Sequence, residues 1–334
     1  MVERLDRYVR QQAEADVFSG TVLLARDGHP LYAEAFGTAH KDFDVPNALD
    51  TKFNLGSMNK MMTAVVIAQL AADGRLALTD PLSTYLPDYP TPAAASQIQL
   101  RHLLTHTSGL GSYFNETFMD GARSRFRTVD DFMQLAQDDS LRFPPGTDRS
   151  YSNTGFLVLG KVIEVVTDSS YFDVVRARIY RPAGMLHSGS FALDRVNTNL
   201  AVGYDKHYTD AGVRYRNNLF EHVIRGGPAG GGYATAHDLL RFARALQDGT
   251  LLPAAYVDSL WTPKPDLHSP DYGFGFVVDG PDGQRVGHSG GFTGISANLD
   301  IFRDRGYVAV VLSNYSGASS SVARKIRELV ARAQ

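Results

Sequence analysis

The 334-residue sequence predicts an α+β fold, one antiparallel sheet with helices segregated from it. Three observations carry that reading. Asp27-Gly28 stands between two apolar runs, 20–26 and 30–37, and Asp-Gly in that setting is a strong hairpin signal. From residue 73 to about 201 the texture turns helical and loop-rich instead of alternating strand with helix, as a parallel sheet would. Strand-like runs then return near the C-terminus, ahead of a closing helix.

In chain order, residues 1–10 form an amphipathic helix that lacks the apolar core of a signal peptide. The hairpin follows. From Met61 to Ala72 only Thr63 and Gln69 are polar, so this helix is apolar all round and must be buried on every side. It is too short to cross a bilayer, which takes roughly 20 apolar residues. A short helix over 99–110 is stopped by Ser108-Gly109, and helical runs follow at 129–137, 156–166 and 171–180. Short strand-like pieces lie between 202 and 232. They end in the glycine cluster of 225–232, which lacks the Lys-Ser/Thr of a phosphate loop and is read as tightly bent backbone. Thr235 caps a helix over 236–246. Strands are expected at 272–278, 284–288, 294–302 and 307–313, with a turn at 304–306 and a closing helix over 319–333. A sheet lobe of 1–56 and 202–334 would then pack the two terminal helices together on one face. A helical lobe of about 57–201 would cover the other, with a cleft at the join.

Composition narrows the function. The apolar fraction of 43% and charged fraction of 21% are those of a soluble globular protein. A net charge of -3 with interspersed signs offers no nucleic-acid footprint. Without cysteine there are no disulfides, thiol nucleophiles or cysteine metal sites. No stretch spans a membrane, and the compartment stays open: cytoplasmic or, where a signal has been trimmed, periplasmic or secreted. Oligomeric state is unassigned.

The chemistry gathers around Ser57 and Lys60, three apart at the start of the buried helix and so on one face. Desolvation lowers a lysine's pKa and makes a neutral amine available as base. A serine hydroxyl needs such a base beside it, and the helix N-terminus favours a developing oxyanion. The alternative is a capping serine and a snorkelling lysine. Tyr151-Ser152-Asn153 precedes the apolar helix at Phe156; a lysine facing Tyr151 would favour its phenolate, making it a proton relay. The alternative there is a tyrosine opening a helix with Asn153 or Thr154 as cap. His288-Ser289-Gly290-Gly291 ends a strand, where glycines allow close backbone approach, and the Gly291 N–H with that of Ser57 would make an oxyanion hole; the alternative is a tight hairpin with a surface histidine. Other signals weigh less. His102 and His106 have helical metal-ligand spacing but lack a Glu between them and a third ligand. Gly56-Ser57 is no nucleophile elbow, because position 59 is Asn. The aromatics Tyr113, Phe114, Phe118, Tyr204, Tyr208, Tyr215 and Phe220 line either cleft or core.

Ser-x-x-Lys on a buried helix, then Tyr-x-Asn, then a glycine-rich strand motif resembles the serine β-lactamase and penicillin-binding-protein superfamily, whose third motif is usually Lys-Thr-Gly. The sequence looks most like the branch of class C β-lactamases, D-aminopeptidases, D-Ala-D-Ala carboxypeptidases and family VIII esterases. Residues 103–110, 228–235 and 288–294 also resemble family landmarks, so the likeness covers nearly the whole chain. It implies a β-lactamase/transpeptidase-like fold. Ser57 would be nucleophile, Lys60 its base and Tyr151 the relay. Asn153 would hold the substrate carbonyl or the lysine, and Gly290-Gly291 would carry the oxyanion site, with no metal or cofactor. His288 departs from the usual lysine. As a partly charged imidazole near pKa 6.5 it would weaken carboxylate recognition. The expected activity is a serine carboxylesterase acting on small acyl esters. D-aminopeptidase, D-Ala-D-Ala carboxypeptidase or β-lactamase action on a D-amino-acyl or lactam substrate is the alternative, and a non-catalytic binding relative the third reading.

Overall fold

Asp27 and Gly28 adopt left-handed φ angles of 50° and 78°, as a two-residue type I′ turn requires. They join β1 (Gly20–Arg26) to β2 (His29–Phe36) in a computed structural model that describes residues 1–137, 140–280 and 283–333. The remaining strands of this sheet come from the C-terminal part: β3 (Val277–Asp279), β4 (Arg285–Phe292), β5 (Ile295–Phe302) and β6 (Tyr307–Ser313). Their order is β2-β1-β6-β5-β4-β3, and every pairing is antiparallel. The N-terminal hairpin thus joins the C-terminal meander through β1 and β6, in register from Gly20 opposite Ser313 to Arg26 opposite Tyr307.

Side chains alternate across a strand, so the sheet feeds two cores. Val22, Leu24, Ala309 and Val311 pack with Leu5 and Val9 of α1 (Val2–Glu14) and with Val322 and Ile326 of the closing helix Ser319–Ala331. Leu23, Ala25, Val310 and Leu312 face the opposite way, into a larger core. Its centre is α2 (Asn59–Ala72), in which every residue from Asn59 to Leu70 is buried. Val65, Val66, Ile67 and Leu70 are sealed from solvent, and each contributes about 1.5–3 kcal/mol by burial. Packed against α2 is α3 (Asn153–Thr167), while α4 (Ala236–Gln247) lies on β1 and β6 and contributes to the same core. Thr235 caps α4 by accepting from the Asp238 N–H. The fold is the expected α+β arrangement, an antiparallel sheet with helices on both faces.

One expected strand is displaced. Over 272–278 only Val277 and Val278 enter a strand; residues 274–276 bend, and Tyr272 folds back to form an isolated bridge with Val277. Gly275 forces the difference: its φ is +77°, and a Cβ there would stand 2.3 Å from the Ala64 Cβ of α2. The segment is pressed against the central helix instead of extending the sheet. No helix among the described residues is long and apolar enough to cross a membrane.

Candidate active site

Ser57 sits in a 3-10 turn, Gly56–Met58, that runs directly into α2. The tight turn leaves Ser57 at the cleft while the next turn is buried. Lys60 is 0% exposed and does not snorkel. Its Nζ lies 3.2 Å from Ser57 Oγ, 2.8 Å from Asn153 Oδ1 and 2.6 Å from the Ala229 carbonyl. Burial holds its pKa well below 10.5. A neutral amine has two N–H groups and one lone pair. The two carbonyl oxygens can only accept, so they take both N–H groups, and the lone pair is left for the Ser57 hydroxyl. This is the arrangement a general base requires.

Tyr151 and Asn153 lie at the start of α3, whose cap is Ser152, accepting from Gly155 N–H at 2.8 Å. Capping therefore falls to Ser152, just before the Asn153 or Thr154 that the sequence offered as cap. Asn153 holds Lys60 and donates from Nδ2 to Ser112 Oγ. The Tyr151 hydroxyl hydrogen-bonds with Ser57, and its ring centroid is 4.9 Å from Lys60 Nζ. The expected ease of forming phenolate is corrected: desolvation pushes Tyr151 up to about 12, outweighing the Ser57 hydrogen bond that lowers it. Tyr151 is a phenol at neutral pH, carrying a proton to give.

The segment Thr107–His106–Thr105 is the template for the loop that carries Tyr151. Gly146 N–H donates to the Thr107 carbonyl, Ser150 N–H to the His106 carbonyl, and Ser152 N–H to His106 Nδ1 at 3.1 Å. The His106 ring also stacks on Tyr151, centroids 4.3 Å apart. Because Nδ1 accepts, the neutral ring carries its proton on Nε2, consistent with burial lowering its pKa. His106→Ala is expected to destabilise the fold by about 3–4 kcal/mol in urea denaturation, combining a lost buried ring with an orphaned Ser152 N–H. His106→Asn keeps an acceptor near Nδ1 and should recover part of this; a loss below about 0.5 kcal/mol for His106→Ala, the level of an ordinary surface substitution, would refute the template.

His288 lies on β4 but points inward, 5% exposed. Nδ1 donates to the Ser289 carbonyl and Nε2 accepts from the Tyr272 hydroxyl at 2.9 Å. Burial, the largest cause, lowers its pKa to about 4. The partly charged ring expected from the sequence is instead a neutral one, because the side chain is desolvated between strands. Gly290 and Gly291 turn toward the site. A Cβ on Gly290 would stand 1.9 Å from the Leu55 carbonyl and 2.9 Å from Ser57 N, so strand and turn meet backbone to backbone. The glycine cluster closes the third side, with Gly231 N–H donating to the Gly56 carbonyl and Gly232 N–H to Asn59 Oδ1.

These elements border a cleft of about 660 Å³, open to solvent, with Ser57, Asn153 and Gly291 in its wall. Tyr113, Phe114 and Phe118 line it. Of the other aromatics, Tyr204 and Tyr215 pack around Lys41, 3.8 Å from the Tyr215 ring, while Tyr208 and Phe220 are exposed. A sequence model described as Beta-lactamase matches residues 5–333. The chain belongs to the beta-lactamase family. It is accordingly a serine hydrolase. A crystal structure of a penicillin binding protein from Bacillus halodurans superposes on this beta-lactamase-family chain with a TM-score of 0.86 at 31% identity, over 96% of this chain and 98% of that one. Penicillin-binding protein 4* of Bacillus subtilis (strain 168) is 31% identical, covering 90% of this chain and 69% of its own. Esterase EstB of Burkholderia gladioli is 29% identical, covering 99% and 95%.

Within this beta-lactamase-family site, sequence reasoning missed the Ala229 carbonyl, His106 and Tyr272. The glycine cluster around Ala229 was a signal of close approach, but to an unnamed neighbour. His106, at φ +63°, stands next to the expected Ser-Gly stop, and only tertiary contact shows what its ring holds.

Proposed function

We propose that the protein is a carboxylesterase that hydrolyses small neutral acyl esters through an acyl-enzyme on Ser57. The observation that carries this is the buried Lys60 Nζ, 3.2 Å from Ser57 Oγ with Asn153 Oδ1 and the Ala229 carbonyl as its other partners; as a neutral amine it gives its two N–H groups to these acceptors and turns its lone pair to Ser57. Lys60 removes the Ser57 proton as Oγ attacks the ester carbonyl, and the oxyanion settles against the N–H groups of Ser57 and Gly291. The carbon–oxygen bond to the alcohol breaks, and Tyr151 gives its phenolic proton to the leaving alkoxide. Lys60, now an ammonium, returns a proton to Tyr151. Water then attacks the acyl-Ser57 carbonyl, Lys60 takes its proton, and Ser57 leaves and is reprotonated.

The ester reading rests further on charge. Glu221 is the charged side chain in the cleft wall among the described residues, and Arg216 already pairs with it at 3.1 Å. With His288 buried and neutral, a substrate carboxylate of the kind lactams and peptidoglycan stems carry meets no cation in the cleft wall among the described residues. Incubation with a fluorophosphonate probe is expected to add its mass to Ser57 and to fail with Ser57→Ala. In a panel, p-nitrophenyl butyrate should exceed D-alanine p-nitroanilide and nitrocefin in kcat/KM by about 100-fold or more, since an unpaired polar group discriminates more strongly than a methylene does. The reverse order with intact labelling would overturn the ester assignment.

A further inference from the structure

The wall of the cleft is a continuous run of rings. Phe118 and Phe132 contact Tyr113 edge-on at 5.8 and 5.5 Å, and Phe114 contacts Tyr113 at 4.8 Å. Phe114 reaches across to Phe292 at the end of β4, 5.8 Å away, and His222 continues the wall at 5.6 Å from Phe292. One side of this wall is therefore built by the loop after Gly109 and the other by the strand that carries Gly291. The rings of Tyr113, Phe118 and Phe132 are buried, held by one another, and present faces and edges that do not need to move to receive an apolar guest.

The position of the wall relative to the reacting atoms distinguishes the two halves of an ester. Ser57, Asn153 and Gly291 border the cleft, whereas Tyr151 does not. Tyr151 is 45% exposed, with Arg149 stacked near Tyr272 beyond it. The leaving oxygen must lie at Tyr151 to be protonated, so the alcohol extends on that open side. The acyl group, on the other side of the same carbonyl, enters the ring-lined cleft. His222 is the imidazole in this wall and burial lowers its pKa to about 4, so among the described residues the cleft wall offers a neutral polar contact and no cation.

Resting on the acyl-enzyme reading above, we propose that this cleft is the acyl pocket and that it selects a neutral, aryl-bearing acyl group, such as an arylacetyl or arylpropanoyl ester. The alcohol stands in solvent beside Tyr151 and is weakly selected. Tyr113, Phe114, Phe118, Phe132 and Phe191 line the cleft beyond the carbonyl and offer a ring apolar faces and edges to pack on.

The test uses the intact chain and two ester series. With p-nitrophenol as the common leaving group, kcat/KM is expected to rise about 30-fold from acetate to phenylacetate or 3-phenylpropanoate, and the monosuccinate should fall about 100-fold below butyrate. With phenylacetate as the common acyl group, methyl, cyclohexylmethyl and benzyl esters should differ by no more than about fivefold. Phe191→Leu, on the half-buried ring across the cleft, should lower the phenylacetate-to-acetate ratio by about fivefold, as expected from losing one apolar wall contact. A flat or inverted acyl profile with fluorophosphonate-labelled Ser57 overturns the pocket assignment alone, as does an alcohol effect larger than the acyl effect. Absence of labelling overturns the acyl-enzyme reading and this one with it.

Discussion

Lys60→Met lowers kcat for p-nitrophenyl butyrate by about 10³- to 10⁴-fold, equivalent to about 4–5.5 kcal/mol of transition-state stabilisation. Methionine has nearly the length of lysine and packs readily in apolar surroundings, so it fills the channel beneath Ser57 without a cavity. What it removes is the lone pair 3.2 Å from Ser57 Oγ. Ser57, Asn153 and the Ala229 carbonyl stay in place, and the circular dichroism spectrum should be that of the parent. A loss smaller than tenfold in a folded variant would mean that another group takes the Ser57 proton.

The same substitution has a signature in stability that activity does not report. Lys60 has a native pKa well below 10.5, whereas in the unfolded chain it titrates near the ordinary lysine value. Between those two values the unfolded state holds one more proton than the native state. Stability therefore rises with pH through that window, by up to about 1.4 kcal/mol per pH unit, and levels off above about 10.5. Lys60→Met has no such group. The stability difference, parent minus variant, should climb from pH 7 toward pH 10 in urea titrations. A flat difference would indicate that Lys60 stays charged in the folded protein and cannot act as the base in the resting state.

Much of this arrangement was legible in the sequence because it rests on short-range rules. Asp27-Gly28 specifies a turn by its backbone preference, and the apolar run after Lys60 can only be a buried helix. Ser57 and Lys60 are neighbours because a helix makes them so. The parts that were not legible depend on which way a side chain points and on what meets it from far along the chain. His288 occupies a strand, where the inward or outward choice depends on register with β5, opposite Leu299. Inward, it is desolvated and neutral, and the sequence alone suggested a half-charged ring. Tyr151 shows the same limit. A nearby lysine favours phenolate only while the lysine is charged, and the burial that lowers the pKa of Lys60 also raises that of the phenol. Gly275 resembled part of a strand because its contact, Ala64, is more than two hundred positions away.

Gly290→Ala is expected to lower kcat by about 10²- to 10³-fold, while Gly291→Ala lowers it by less than about tenfold. The two glycines are adjacent and indistinguishable in the motif, yet their surroundings differ sharply. An added Cβ on Gly290 would meet the Leu55 carbonyl at 1.9 Å and Ser57 N at 2.9 Å, both backbone atoms that cannot rotate away. On Gly291 it would meet the Ile295 carbonyl at 3.8 Å, an ordinary contact. Neither glycine has a left-handed φ, so the backbone of alanine fits at both, and the difference lies in the contact alone. At Gly290 the strand must retreat from the Ser57 turn by on the order of an ångström, enough to cost about 10²-fold in a positioned reaction. The retreat also parts the two N–H groups proposed to hold the oxyanion, whose individual loss costs about 10²- to 10³-fold. At Gly291 the N–H itself survives, since alanine keeps it. Equal losses in the two variants, measured with p-nitrophenyl butyrate at matched folding, would show that the close approach of strand and turn does not set the site.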